Sequence, residues 1–293
     1  MRHGLQLILA GLLLGGARHA AGSNCQGGVT VGGLGEVSLV GAQYNTPGDV
    51  APELGVDVAA DGSLRPALRS RTYFGDSCDS LSYDQTRYTA LRLLGRRLRY
   101  TVNVSDAGCG CNLALYLTAM PQNMAPSSCL DYYCDANSVC GVACAEIDIQ
   151  EANRHAFHST LHSRDDRDGV ARGVGGYNKE WSPDDYGPGG RCIDTHHPFE
   201  VAASFPVGGD GSLLALEVEL TQPGYGCPLF LRLDSYSFGG ESKMLELSEA
   251  LAAGMTPVMS YWRSPNMAWL DGKGPCTEET MICGDAVQFS EFI

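Results

Sequence analysis

Three acids stand inside one short apolar segment, Glu146-Ile147-Asp148-Ile149-Gln150-Glu151. A strand-like run of this kind ordinarily takes apolar side chains, and clustering carboxyl groups is costly because each raises the proton affinity of the next. One chemistry that needs the cluster is acetal cleavage on a sugar. Two carboxyl groups about 5 Å apart flank the ring, one attacking the anomeric carbon while the other protonates the departing oxygen. In a regular strand Glu146 and Asp148 share a face and Glu151 points away, since side chains alternate with period two. A one-residue bulge near Ile149 or Gln150 returns Glu151 to the common face. Asp148 then lies between the glutamates, placed to hydrogen-bond the nucleophile and hold the two proton affinities apart. Without further context the run also fits a solvated acidic strand edge.

The elements that must position these acids are read as strands. The chain has 293 residues, 44% of them hydrophobic, enough for a large core. Short apolar alternations in the Gly-rich stretch Asn24 to Asp84 suit short strands between turns. Further strands are expected at 98–104, 113–120, 145–149, 199–205, 213–220, 229–233, 255–261 and 286–293. In Leu216-Glu217-Val218-Glu219-Leu220 the apolar residues take one face and the acids the other, as in an antiparallel strand with one wet side. One helix is expected, Lys243 to Ala252, capped by Ser242 and ended by Gly254 in a left-handed conformation. No repeat or linker divides the chain, and the stretch Ser163 to Gly190 reads as long loops. The expected fold class is all-β, a two-sheet antiparallel sandwich in one domain.

Composition narrows the partners. Lys and Arg total 20 against 34 acids, for a formal charge of −14, so there is no basic surplus to neutralise phosphates, and neither nucleic acid nor an acidic lipid surface is an expected partner. A neutral, hydroxyl-rich ligand is compatible. Residues 1–22 have a basic start at Arg2, an apolar run Leu5 to Leu14 and small residues before position 23, the pattern of a cleaved secretory signal. That run falls short of the ~20 apolar residues of a spanning helix. Residues 23–293 are then the secreted domain, extracellular and free of the membrane. Export makes the 12 cysteines read as up to six disulfides. Cys129, Cys134, Cys140 and Cys144 match no common zinc spacing. Asn103-Val104-Ser105 is a glycosylation sequon. Asp165-Asp166-Arg167-Asp168-Gly169 lacks the glutamate of a calcium loop and reads as a solvated turn. No metal or cofactor is expected.

The run Cys144-Ala145-Glu146-Ile147-Asp148-Ile149-Gln150-Glu151-Ala152-Asn153 resembles the signature of glycoside hydrolase family 7, secreted cellulases with a concanavalin A-like β-jelly roll. Four further matches follow in order. Leu93-Leu94-Gly95 through Asn103-Val104-Ser105, with Cys109-Gly110-Cys111-Asn112-Leu113-Ala114-Leu115-Tyr116, resembles the strands before the catalytic motif. Tyr186-Gly187-Pro188-Gly189 with Ile193-Asp194-Thr195, Gly254-Met255 through Leu270-Asp271, and Val287-Gln288-Phe289-Ser290 are similar to later segments. The likeness extends from Arg87 to Ile293, and separated matches in order are more specific than any single motif.

Carried over by position, the resemblance implies Glu146 as nucleophile, Asp148 as its assisting acid and Glu151 as general acid/base. It places His162 near the catalytic centre and Asn112, Tyr116 and Asp135 along the substrate cleft. Trp262 and Trp269 match tryptophans that stack on glucosyl rings, an apolar plane against pyranose CH groups. It also implies that Cys134 pairs with Cys144 and that Cys109 reaches Cys276 or Cys283. The chain departs from the family in Gln150, where a bulky aromatic is usual, in a shorter Trp262 to Trp269 spacing, and in lacking a clear match for substrate-binding arginines. The segments Met120 to Cys144 and Ser163 to Gly190 are shorter than the family's roofing loops, which implies an open cleft and attack within a chain. The reading is therefore a monomeric, endo-acting retaining hydrolase of β-1,4-glucan. A family 16-like enzyme on β-1,3 or mixed-linkage glucan shares the motif spacing, and a non-catalytic glycan-binding jelly roll shares the fold.

Overall fold

The computed structural model describes residues 24–167, 169, 172–272, 275–276 and 282–293. The expected signal, residues 1–22, and Asp168 lie outside the described residues. Two antiparallel sheets form the body. In chain order the strands are β1 Cys25–Val31, β2 Gly35–Gly41, β3 Val56–Val58, β4 Leu64–Pro66 and β5 Ser70–Gly75. They continue with β6 Arg97–Asn103, β7 Cys111–Thr118, β8 Glu146–Asn153, β9 Ala156–His162 and β10 Arg172–Gly175. The last are β11 Phe199–Ser204, β12 Leu216–Thr221, β13 Leu229–Leu233, β14 Thr256–Arg263 and β15 Gln288–Ser290.

The larger sheet runs β1-β2-β5-β14-β7-β8-β9-β10, and the second runs β13-β12-β11-β6-β15-β4-β3. Neighbours such as β5 and β14 are far apart in sequence, so the sheets are stitched by crossovers, the jelly-roll arrangement. Between them lies one core, built from Leu113, Leu115, Leu117, Ile147 and Leu161 on one side and Tyr100, Val102, Val201, Val218 and Phe289 on the other. Burying each such aliphatic side chain contributes roughly 1.5–3 kcal/mol. Strand β12 alternates buried and half-buried residues, as its sequence dictates, because its acids face water. Strand β8 is buried almost throughout, since one face meets the core and the other lies in the site.

Two local expectations are corrected. The helix is Met244–Ala253 and its N-cap is Lys243 with no side-chain cap bond. Ser242 is drawn instead into a short ladder with Ser237, which takes it away from the helix end. Gly254 does close the helix, at φ +106°. The last strand holds three residues rather than eight because Glu291 adopts φ +55°, a turn conformation that ends the ladder.

Gln150 crosses the core. Its side chain, fully buried, accepts from the Tyr100 hydroxyl at 3.1 Å and donates to the Leu113 carbonyl at 3.1 Å. The aromatic usual at this position is thus replaced by a polar tie between the two sheets. Gln150→Ala strands the Tyr100 hydroxyl and opens a cavity, so we expect a loss of about 2–4 kcal/mol, read as a lowered urea midpoint at unchanged slope.

Candidate active site

The site begins with the β8–β9 hairpin. Asn153 closes its turn, its Oδ1 accepting from the backbone N–H of His155 at 2.9 Å and of Ala156 at 3.1 Å. Asn153 pairs with Ala156, and the ladder then sets Glu151 opposite His158, Asp148 opposite Thr160 and Glu146 opposite His162. Between Glu151 and Asp148 the register slips, so that Ile149 and Gln150 face the single residue Ser159. The Ser159 hydroxyl donates to the Ile149 carbonyl at 2.7 Å. On the other edge the same slip falls between Asp148, opposite Tyr116, and Gln150, opposite Leu115. This bulge sends Gln150 inward and brings Glu151 onto the face of Glu146 and Asp148.

Each acid is held by a different partner. Glu146 Oε2 accepts from the Ala136 N–H at 2.9 Å, and the loop carrying Ala136 is stapled by Cys134–Cys144 and Cys129–Cys140. Asp148 Oδ2 meets His162 Nε2 at 3.1 Å, and His162 Nδ1 meets Asp166 Oδ2 at 2.9 Å. Glu151 Oε1 accepts from Asn112 Nδ2 at 2.9 Å, while its other oxygen lies 3.9 Å from His158 Nδ1. All twelve cysteines are paired, including Cys109–Cys276 and Cys111–Cys283 beside the start of β7.

The remaining residues singled out from the sequence are distributed unevenly. Asn112 is fully buried; besides Glu151 it bonds the Ala152 N–H through Oδ1 at 3.1 Å, so it positions the acid rather than lining an open cleft. Tyr116, opposite Asp148, shares a 3.0 Å hydroxyl contact with Tyr133, and Asp135 is buried beside them with its carboxylate accepting from the Val139 N–H at 2.8 Å. Trp269 is 38% exposed and meets the His158 ring edge-on at 5.7 Å, next to Glu151. Trp262 packs against Ala156, Met267 and Leu270 instead. Cys109, His155 and Cys276 come close together, but both sulfurs are spent in a disulfide.

Three participants escaped the sequence reading. The supposed solvated turn 165–169 has a buried member, Asp166, bonded to His162, which corrects that expectation for this residue. Arg71, also buried, bonds the Tyr73 hydroxyl at 2.9 Å and lies 3.6 Å over the Tyr133 ring beneath Tyr116. His158 faces Glu151 across the ladder. Only His158 was within reach, by counting outward from the Asn153 turn.

Burial sets the proton affinities, and charge then separates them. Burial, with Asp148 and Asp135 nearby, pushes Glu146 well above the usual carboxylate range. Burial and Glu151 raise Asp148 to about 6, against the opposing pull of His162. Burial alone lowers a histidine, yet the bond to Asp148, with Glu146 and Asp166, outweighs it and holds His162 up at about 10. Near neutral pH the centre therefore holds an imidazolium among carboxyl groups. If Glu146 must be ionised to react, the acid limb of kcat/KM is expected above the ordinary carboxylate range, checked by a rate profile from pH 4 to 9.

Fold and site define a class: antiparallel jelly rolls that carry an acidic triad on one bulged strand. No family model matches the chain. Among curated relatives, Endoglucanase 1 of Pyricularia oryzae is 29% identical over 260 residues, covering 67% of this chain; the chain spans 61% of that relative's length. The solved GH7 family cellobiohydrolase of Daphnia pulex aligns over 94% of this chain and 97% of its own, with a TM-score of 0.63 and 19% identity. An endoglucanase I complexed with cellobiose aligns over 88% and 91%, with a TM-score of 0.61 and 20% identity. The chain is thus similar in sequence to endoglucanases and shares the fold of solved glycoside hydrolase family 7 cellulases.

Proposed function

We propose that the protein is a secreted, single-domain, monomeric hydrolase that cuts within β-1,4-glucan chains with retention of configuration. The observation that carries this reading is the bulge in β8, which gives Glu146 and Glu151 one face with Asp148 between them. Two same-face steps separate the glutamate Cα atoms by about 13 Å, a span that two side chains leaning over a sugar ring close to the ~5 Å of a retaining pair. Six disulfides support an exported protein, and the endoglucanase relative and the cellobiose-bound neighbour support the substrate class.

In the first step the Glu146 carboxylate attacks the anomeric carbon as Glu151 gives its proton to the leaving oxygen. In the second, Glu151 takes a proton from water, which displaces Glu146 and restores the β configuration. The Ala136 N–H holds one Glu146 oxygen, His162 supplies positive charge beside Asp148, and both favour the ionised nucleophile against the opposing effect of burial. Asn112 orients Glu151, and the exposed Trp269 offers a flat face for an adjoining glucosyl unit. Acetal double displacement needs no cofactor. Assay on carboxymethylcellulose beside laminarin tests the reading: reducing ends and a rapid fall in viscosity on the first are expected. Cleavage of laminarin alone, or of neither, contradicts it.

A further inference from the structure

His162 is gripped from both sides. Its Nε2 faces Asp148 on β8, and its Nδ1 faces Asp166 in the loop that follows β9. Asp166 is fully buried and also receives the Tyr236 hydroxyl, at 3.4 Å, from the segment after β13. That hydroxyl meets Ser163 as well, accepting from its N–H at 3.0 Å. The loop is anchored at the helix start, where the Arg164 N–H donates to Glu246 at 2.8 Å and Lys243 reaches Asp165 at 3.2 Å. A neutral imidazole has one N–H donor, and a carboxylate offers none. With an ionised carboxylate at each nitrogen, only the doubly protonated ring satisfies both contacts.

We infer that Asp166 is a positioning residue that locks His162 as a permanent imidazolium, making the Asp148–His162–Asp166 line a fixed counter-charge for the nucleophile. This inference rests on the proposed roles of Glu146 and Asp148 in its kinetic part, but not in its protonation part. The groups facing His162 are Asp148 and Glu146 from β8, Asp166 from its own following loop and the Tyr236 hydroxyl. Three of these four are acids. The direction of their effect agrees with the geometry, holding the ring charged far past neutrality. The usual partner of a buried histidine is one carboxylate or carbonyl that selects a tautomer; two carboxylates select a charge.

The test follows His162 directly. Long-range 1H–15N spectra of the full chain, with His162 assigned by comparison with His162→Gln, are recorded from pH 5 to 10. The parent is expected to show both ring nitrogens protonated throughout pH 5 to 8. Asp166→Asn, which keeps the shape but removes the charge, should lower the midpoint by roughly one unit or more. On carboxymethylcellulose the same variant should lose about tenfold or more in kcat with KM within twofold, and its acid limb should move to higher pH. A parent His162 that titrates near its ordinary 6.5, or a midpoint unmoved by Asp166→Asn, overturns the inference. The parent titration decides the matter even if the variant fails to fold. Failure of the hydrolase reading is distinct: the parent would then cleave no glucan while His162 stayed charged.

Discussion

Glu146→Gln is expected to abolish glucan hydrolysis while leaving the fold intact. Removing a covalent nucleophile costs about 10^4-fold or more in kcat, equivalent to roughly 5 kcal/mol of lost transition-state stabilisation. Glutamine keeps the volume and can still accept the Ala136 N–H that now reaches Glu146 Oε2. Stability should not fall. An acid whose folded proton affinity is raised costs stability as pH climbs from its unfolded value through its folded one, and Glu146 is raised. At pH 7 the amide is relieved of that cost, so the variant should melt at or above the parent temperature. Thermal scans at pH 5 and 7, with the difference growing at the higher pH, check the sign. Hydrolysis that persists in the variant would remove Glu146 from the mechanism.

Glu151→Gln is expected to fail in a different way. Loss of a general acid lowers the rate by about 10^2–10^4 on unactivated glucan, whose leaving oxygen needs a proton. An aryl glucoside with an acidic phenol leaves unaided, so its first step survives, and the glycosyl-enzyme then accumulates because no base activates water. The measurement is a burst of phenol, near one equivalent per active site, followed by slow turnover. A small anion such as azide, which needs no base, should restore turnover and yield a β-glycosyl azide. Equal losses on both substrates, with no burst, would mean that Glu151 does not protonate the leaving group. Because Asn112 bonds Glu151 and the Ala152 N–H together, its role is tied to this residue rather than to the substrate.

The fold and the acid triad were legible in the sequence for a physical reason. Period-two patterning survives in β12, where Glu217 and Glu219 stay wet and Val218 stays dry. The conflict at β8 was also written there: three acids in a strand share one face only if the strand carries a bulge, and the bulge is present. What sequence hid were contacts between segments that only folding brings together. Asp166 sits among charged loop residues and reads as solvated, because nothing local signals that Tyr236, seventy positions on, covers it. Arg71 likewise looks like any surface arginine until Asn45, Tyr73 and Tyr133 enclose it. His158 is the intermediate case. Two residues turn the chain after Asn153, so counting outward sets Glu151 against His158, and the bulge then sets Glu146 against His162. Trp262, half-buried against Ala156, Met267 and Leu270, shows the opposite limit, since an aromatic type alone does not separate a stacking platform from a packed residue.

The account stands on Glu146 and Glu151 acting from opposite sides of one acetal, and trapping tests this most directly. Incubation with a 2-deoxy-2-fluoro-β-cellobioside bearing a good leaving group slows the second step and captures the covalent intermediate. Peptide mass spectrometry is predicted to find one glycosyl adduct per chain, on Glu146, with the first free product formed from native substrate in the β configuration. An adduct on Glu151, or hydrolysis that gives the α product with no adduct on any carboxyl group, would contradict it.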